Sequence, residues 1–256
     1  MKFVILFLLL SVILNMEVKT GKIESRVYSY SKAKVEKNER GERRQIMDGE
    51  TTHMENFEIH VTTLNPGAIP HGKAINKDRE EIIFMKEGRL KVTLNNESKV
   101  IGAGSVVLLL PGDEYDVVNG WDKPTTYYLI GYKSKVPMNI ERGKANGGSM
   151  LIDWDKLKFQ PHDRGGQRSF FDRKSAMSER IEMHATTLNP AIKSHEPHTH
   201  SPEEIVIMMS GTTEMEIGDG TYPGVTGDIY FMGSNIPHAI RNTGKEPCTY
   251  LAFQLE

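Results

Sequence analysis

The sequence predicts an all-β protein built from two similar domains in tandem. Three observations carry this reading. The chain repeats itself at a fixed offset, its apolar residues alternate over short stretches bounded by turns, and no amphipathic segment is long enough for a helix. Ser31-Lys32-Ala33-Lys34-Val35 matches Asp155-Lys156-Leu157-Lys158-Phe159, an offset of 124 from Ser31 to Asp155. The same offset carries Glu58-Ile59-His60-Val61-Thr62-Thr63-Leu64-Asn65-Pro66 onto Glu182-Met183-His184-Ala185-Thr186-Thr187-Leu188-Asn189-Pro190. After one gap it becomes 123, so that Glu80-Glu81-Ile82 meets Glu203-Glu204-Ile205 and Gly88 meets Gly211. Chance does not hold register over that length, and the chain is a duplication.

Within each copy the strands follow from local pattern. Leu90-Lys91-Val92-Thr93-Leu94 alternates, turns at Asn95-Asn96 and resumes at Lys99-Val100-Ile101; the second copy turns at Gly218-Asp219-Gly220. Val106 to Leu110 and Ile205 to Met209 are short apolar runs of the kind buried strands show. The charged stretch Lys32 to Arg44 reads as a solvated connection, and 137–149, with Gly143, Gly147 and Gly148, as the linker between domains 22–136 and 150–256.

Composition narrows the function. Charged residues make up 26% and the net charge is −2, without the basic excess of a nucleic-acid binder. One cysteine, Cys248, excludes an intramolecular disulfide framework, a Cys-rich zinc site and an iron–sulfur cluster, leaving metal chemistry to carboxylates and the nine histidines. Cys248 itself reads as a buried, inert thiol. At the start, Met1-Lys2 followed by the apolar run Phe3 to Leu14 fits an export signal over 1–21 and is too short to span a bilayer. The expected location is therefore periplasmic or extracellular, with no membrane span after processing.

The second copy carries the candidate chemistry. In His198-Thr199-His200 the imidazoles are two apart, so on a strand they share a face, and Glu204 keeps that face four positions later. His238 and Asn242 follow Gly227 and the apolar run Asp228 to Met232. His198-x-His200-x3-Glu204-x6-Gly211, then Gly227-x10-His238-x3-Asn242, resembles the two-part signature of the cupin superfamily. The departures are Ile192 at a leading Gly, and Gly233 and Asn235 at a Pro-x-Gly, positions that shape turns.

The resemblance implies two tandem jelly-roll-like β-barrels, a bicupin, with one divalent metal (Mn, Fe, Zn or Ni) on His198, His200, Glu204 and His238. In the first copy, Ile75, Lys77 and Tyr115 stand in the imidazole positions and only Glu81 matches, so no metal is expected there. That barrel is either a structural support, for its neighbour or a homodimer, or a second small-molecule pocket around Lys77, Glu81 and His71. The two-barrel plan is also similar to ureidoglycine aminohydrolases in Gly227 to Gly233, but those have Glu where His198 stands and Gln where His238 stands.

The remaining candidates are ranked by the same pattern. His195 and Glu216 are the acid–base candidates beside the metal, His195 first. Glu203, on the opposite strand face from Glu204, is expected in solvent; His60 and His184 in the barrel wall; and Met208, Met209 and Met232 in the core. The expected partner is a small oxygen-rich metabolite such as a uronate-like sugar or a keto or hydroxy acid, isomerised or ring-opened by metal-assisted proton transfer. A dioxygenase using the same metal set, and a sugar-binding cupin without turnover, are the alternatives.

Overall fold

The computed structural model describes residues 21–256. The export signal expected over 1–21 lies outside these residues except for Gly21. Among the described residues no helix is long and apolar enough to cross a membrane.

Each copy folds into a barrel of two antiparallel sheets. The first copy pairs a seven-stranded sheet, in the order Met150–Ile152, Val106–Leu109, Glu80–Glu87, Thr125–Ser134, Met54–Leu64, Gly41–Gly49 and Val35–Asn38, with a four-stranded one. The second repeats this with Arg26–Tyr28, Ile229–Met232, Glu203–Ser210, Cys248–Leu255, Ile181–Leu188, Gly165–Arg173 and Gln160–His162, facing a three-stranded sheet. Full pairing leaves few exposed strand edges, as barrels require.

The outermost strands are exchanged. Arg26–Tyr28, ahead of the first copy, pairs with Ile229–Met232 of the second, and Met150–Ile152 pairs with Val106–Leu109 of the first. The two exchanged strands stand 124 residues apart, so the swap obeys the repeat. Between the copies, the stretch read as linker contains a short helix, Ile140–Ala145, whose first turn is capped by the Asn139 side chain accepting from Arg142 N at 2.9 Å.

Three apolar clusters explain why the central strands are buried on both faces. In Glu80–Glu87, Ile83 and Met85 point into the first barrel with Leu90, Val92 and Leu109. Ile82 and Phe84 point the other way, into a layer shared with Ile205, Ile207 and Phe253 of the second barrel. Val206, Met208 and Met232 line the second interior with Cys248 and Tyr250, as expected of core methionines and an inert thiol. The barrels thus pack back to back, and a period of two sorts each strand's side chains between lumen and interface.

Two expectations are overturned here. Lys32 to Arg44 is not a loop: it forms most of the hairpin Val35–Asn38 with Gly41–Gly49, whose outer strand keeps its charges in solvent. Glu203 is not solvated but 1% exposed, because the face opposite Glu204 meets the other barrel. It accepts hydrogen bonds from Thr51 Oγ1 at 2.5 Å and Thr52 N at 2.6 Å. Its counterpart Glu80, equally buried, accepts from Tyr132 Oη, Ser175 Oγ, Ala176 N and Met177 N. Each barrel therefore grips a turn of the other with one carboxylate.

Two signature residues shape the frame. Gly211 has φ +86°, and a Cβ there would lie 2.6 Å from Cys248 Cβ, so only glycine fits between the strands. Asn242, fully buried, donates to Leu188 O, Asn189 O and Glu246 O, and Asn119 makes the same three contacts with Leu64 O, Asn65 O and Lys123 O. Asn235 takes the glycine position of the signature at φ +59°, a left-handed conformation that asparagine tolerates.

Candidate metal centre

The second barrel encloses a cavity of about 440 Å³. Glu204 enters it from the central strand Glu203–Ser210, on the lumen side with Val206 and Met208. His238 opens the strand His238–Asn242 of the facing sheet, and its backbone exchanges two hydrogen bonds with His198, at 3.3 and 3.1 Å. That bridge sets His198 directly across from His238, and the period of two sets His200 on the same face. One nitrogen from each of His198, His200 and His238 lies within 4.8 Å of the others, a group able to hold a metal ion.

The hydrogen bonds behind the imidazoles decide what faces the centre. His200 Nδ1 lies 2.8 Å from Pro202 O and His238 Nδ1 lies 2.8 Å from Ile236 O. A carbonyl only accepts, so both Nδ1 atoms carry the proton and both Nε2 atoms present lone pairs. Those Nε2 atoms lie 3.0 and 3.4 Å from Glu204 Oε2, itself an acceptor. His238 Nε2 is buried and has no well-formed hydrogen-bond partner. Acceptors that converge in a buried place require a cation or protons between them, so the residues present fit a divalent metal.

The electrostatics agree. Burial opposes ionisation of Glu204, but where protons stand between it and the His200 and His238 imidazoles those hydrogen bonds, with that from Gln254, outweigh burial and hold the carboxyl well below the usual range. Burial, and then the neighbouring imidazoles, push His198 down, favouring the neutral ligand form. Glu204 pulls His200 up, as any anion would before a metal replaces the proton.

Other expected residues divide. His195 lines the cavity, its ring edge-on to His198 with centroids 4.3 Å apart. Its Nδ1 lies 3.0 Å from Glu196 O, which leaves Nε2 as the free base. Glu216 is not in the cavity wall; it pairs with Lys193 at 3.0 Å. His184 is in the wall as expected, held by Glu182 at 2.9 Å; burial lowers its affinity for a proton, yet Glu182 raises the pKa overall.

Sequence reasoning missed Gln254, His162 and Gln167, all of which line the cavity. Gln254 Nε2 donates to Glu204 Oε2 at 2.9 Å and fixes its orientation. The alternation of Cys248–Leu255 marks Gln254 as a polar residue on the lumen face with Tyr250 and Ala252, a signal readable in principle.

The first barrel corrects the expected register. Tyr115 stands where His238 stands, but it faces Ala74, not Ile75. Ala74 and Asn76 therefore take the places of His198 and His200, while Ile75 is 49% exposed and Lys77 also points away. The gap in the repeat falls later than the sequence suggested, after Asn76, where residues 77–79 replace the pair Ser201-Pro202. The extra length delivers Arg79, whose Nε lies 3.0 Å from Glu81 Oε1, with Nη2 also on that oxygen. Tyr115 Oη donates to Glu81 Oε2 at 2.7 Å.

Two β-barrels back to back, one with three converging imidazoles beside a buried carboxylate, define a two-barrel protein with one candidate metal centre. Residues 185–253 match the family described as Cupin domain. No curated protein sequence matches the chain. Solved structures share the whole fold at low identity. Oxalate decarboxylase from Lactobacillus farciminis, solved as a formate complex, is 18% identical with TM-score 0.70, covering 92% of this chain and 87% of its own. Oxalate decarboxylase from Bacillus subtilis, described with Mn(II) centres, is 15% identical with TM-score 0.69 over 94% and 79%. AerE from Microcystis aeruginosa is 15% identical with TM-score 0.67 over 90% and 99%. These likenesses support the two-barrel cupin fold.

Proposed function

We propose that the second barrel binds one divalent metal through His198, His200, His238 and Glu204. We further propose that the protein is an enzyme acting on a small oxygen-rich metabolite, a uronate-like sugar or a keto or hydroxy acid. The observation that carries this is the set of lone pairs facing one another, His200 Nε2, His238 Nε2 and Glu204 Oε2, in a cavity large enough for such a ligand. A bound metal would polarise a carbonyl oxygen and acidify the neighbouring C–H. His195 Nε2, with Nδ1 fixed on Glu196 O, is the base that takes that proton and returns it elsewhere on the substrate. Gln167, Thr186 and Tyr250 in the wall offer hydrogen bonds to hydroxyl groups, which suits a sugar acid. The apolar run Phe3 to Leu14 supports action outside the cytoplasm.

The protein as purified should carry about one metal per chain. The double variant His198→Ala, His200→Ala should lose it almost completely, and Gln254→Ala should weaken it roughly 10- to 100-fold by freeing Glu204. Full occupancy in the double variant refutes the site. Turnover of sugar acids or keto acids without oxygen uptake supports proton transfer. Oxygen consumption coupled to turnover would instead establish the dioxygenase reading.

A further inference from the structure

We propose that the first barrel is a second, metal-free binding site that recognises a small carboxylate-bearing metabolite through arginine side chains. Its cavity, about 400 Å³, matches the second barrel's in size. The walls correspond position by position, with His60 for His184, Thr62 for Thr186 and Tyr127 for Tyr250. What differs is the source of positive charge. Arg43 stands where the second barrel has Gln167, and Arg79 occupies the extra length that replaces Ser201-Pro202. A fixed guanidinium on Glu81 also repels a metal from the place the second barrel would use.

The inventory of donors and acceptors sets the ligand's chemistry. Every carboxylate at this cavity is engaged. Glu81 accepts from Arg79 and from the Tyr115 hydroxyl. Behind it Glu58 meets Arg43 at 2.5 Å, His60 at 3.0 Å and Arg79 at 3.2 Å. Glu42 pairs with Arg44 at 3.0 Å.

The donors are not spent. Among the described residues Arg43 uses only Nη2 in hydrogen bonds, leaving Nε and Nη1. The Arg40 guanidinium, at the mouth, has a single hydrogen-bond partner among the described residues, the carbonyl of Pro70 at 2.5 Å. Asn76 Nδ2 is buried beside the Tyr115 hydroxyl without forming a well-aligned hydrogen bond. A cavity whose carboxylates are engaged and which keeps free N–H groups on Arg43, Arg40 and Asn76 takes a ligand rich in acceptors. Two guanidinium groups select an anion, and a planar carboxylate matches their geometry. Phosphate would also be held by such donors, so it belongs among the probes.

The test uses the full-length chain and isothermal titration with D-galacturonate, D-glycerate and inorganic phosphate. In the His198→Ala, His200→Ala variant, where the second barrel is disabled, one equivalent of a carboxylate probe should still bind. Adding Arg43→Gln or, separately, Arg40→Gln should weaken that binding at least tenfold, with an unchanged melting midpoint for Arg40→Gln, and glycerol should not compete. Arg40→Gln keeps the test valid if Arg43→Gln disturbs the Glu58 cluster. No binding of either carboxylate, equal binding in both arginine variants, or tighter binding of phosphate than of the carboxylates would each overturn the proposal.

Discussion

Removing the carboxylate of Glu80 should destabilise the protein more than removing any other polar side chain described between the barrels. Glu80 is fully buried in the interface layer and accepts four hydrogen bonds, two from hydroxyls and two from backbone amides of the opposite barrel. In Glu80→Ala the Ala176 and Met177 amides lose their partner, and each buried donor left unsatisfied costs about 1–3 kcal/mol. The Tyr132 and Ser175 hydroxyls can rotate towards each other and recover part of their loss. The expected cost is therefore about 4 kcal/mol, roughly 8–16 °C in melting midpoint for a chain of this length. Glu203→Ala strands two donors, Thr51 Oγ1 and Thr52 N, and should cost about half as much. Urea unfolding followed by circular dichroism measures both. Glu36→Ala, on an exposed strand, serves as the control and should stay within about 0.5 kcal/mol of wild type. If Glu80→Ala also stays within that margin, or Glu203→Ala costs more than Glu80→Ala, the carboxylate grip does not hold the barrels together.

Two further predictions concern the first barrel. Hydrogen bonding to His60 outweighs burial, and with Arg79 and Arg43 lowers Glu58 from 4.5 to about 2, so Glu58 stabilises the fold fully above pH 4.5 and loses this effect as pH falls through about 2. Allowing for solvent around the cluster, Glu58→Gln should cost about 1–2 kcal/mol at pH 6. The gap to wild type should narrow as pH falls below 4.5 and close only at about pH 2 in pH-resolved denaturant melts; a gap that widens on acidification would contradict the assignment. The triple variant Ala74→His, Asn76→His, Tyr115→His should still fail to bind Mn(II) in the first barrel while Arg79 holds Glu81. Adding Arg79→Gln should raise metal content from one towards two per chain, and a second metal in the triple variant alone would refute Arg79 as the obstacle.

The duplication and the convergence of His198, His200 and His238 were legible because both rest on spacing. An offset of 124 survives any fold, and two residues apart on a strand means one face. The local reading failed where neighbours decide. Glu203 looked like the outward partner of Glu204, and only the packing of a second barrel against that face makes outward mean buried. Lys32 to Arg44 has the charge of a loop, yet an edge strand needs only one side of its backbone paired and can leave its side chains in water. The gap in the repeat was invisible without pairing partners. Placing it between His71 and Ile75 put Ile75 and Lys77 in the wall, whereas strand register puts Ala74 and Asn76 there and brings in Arg79.

The two copies are held alike where they touch and differ where they face their cavities. Glu80 and Glu203, Asn119 and Asn242, and the exchanged strands Arg26–Tyr28 and Met150–Ile152 are paired features of the frame. Each is buried or hydrogen-bonded to backbone, so replacing one member leaves donors stranded or an edge unpaired. The lumen positions obey a weaker constraint. A side chain that points into a cavity of 400 Å³ has room to change length and charge without disturbing a packed neighbour. That freedom lets Ala74, Asn76, Tyr115 and Arg79 replace three imidazoles and a proline on the same barrel. Glu81 keeps its buried place because burial demands partners for a carboxylate, and Arg79 with Tyr115 supplies them. One frame can therefore carry a metal centre in one lumen and an arginine-lined pocket in the other, because the contacts that hold the barrels together are not the contacts that would hold a ligand.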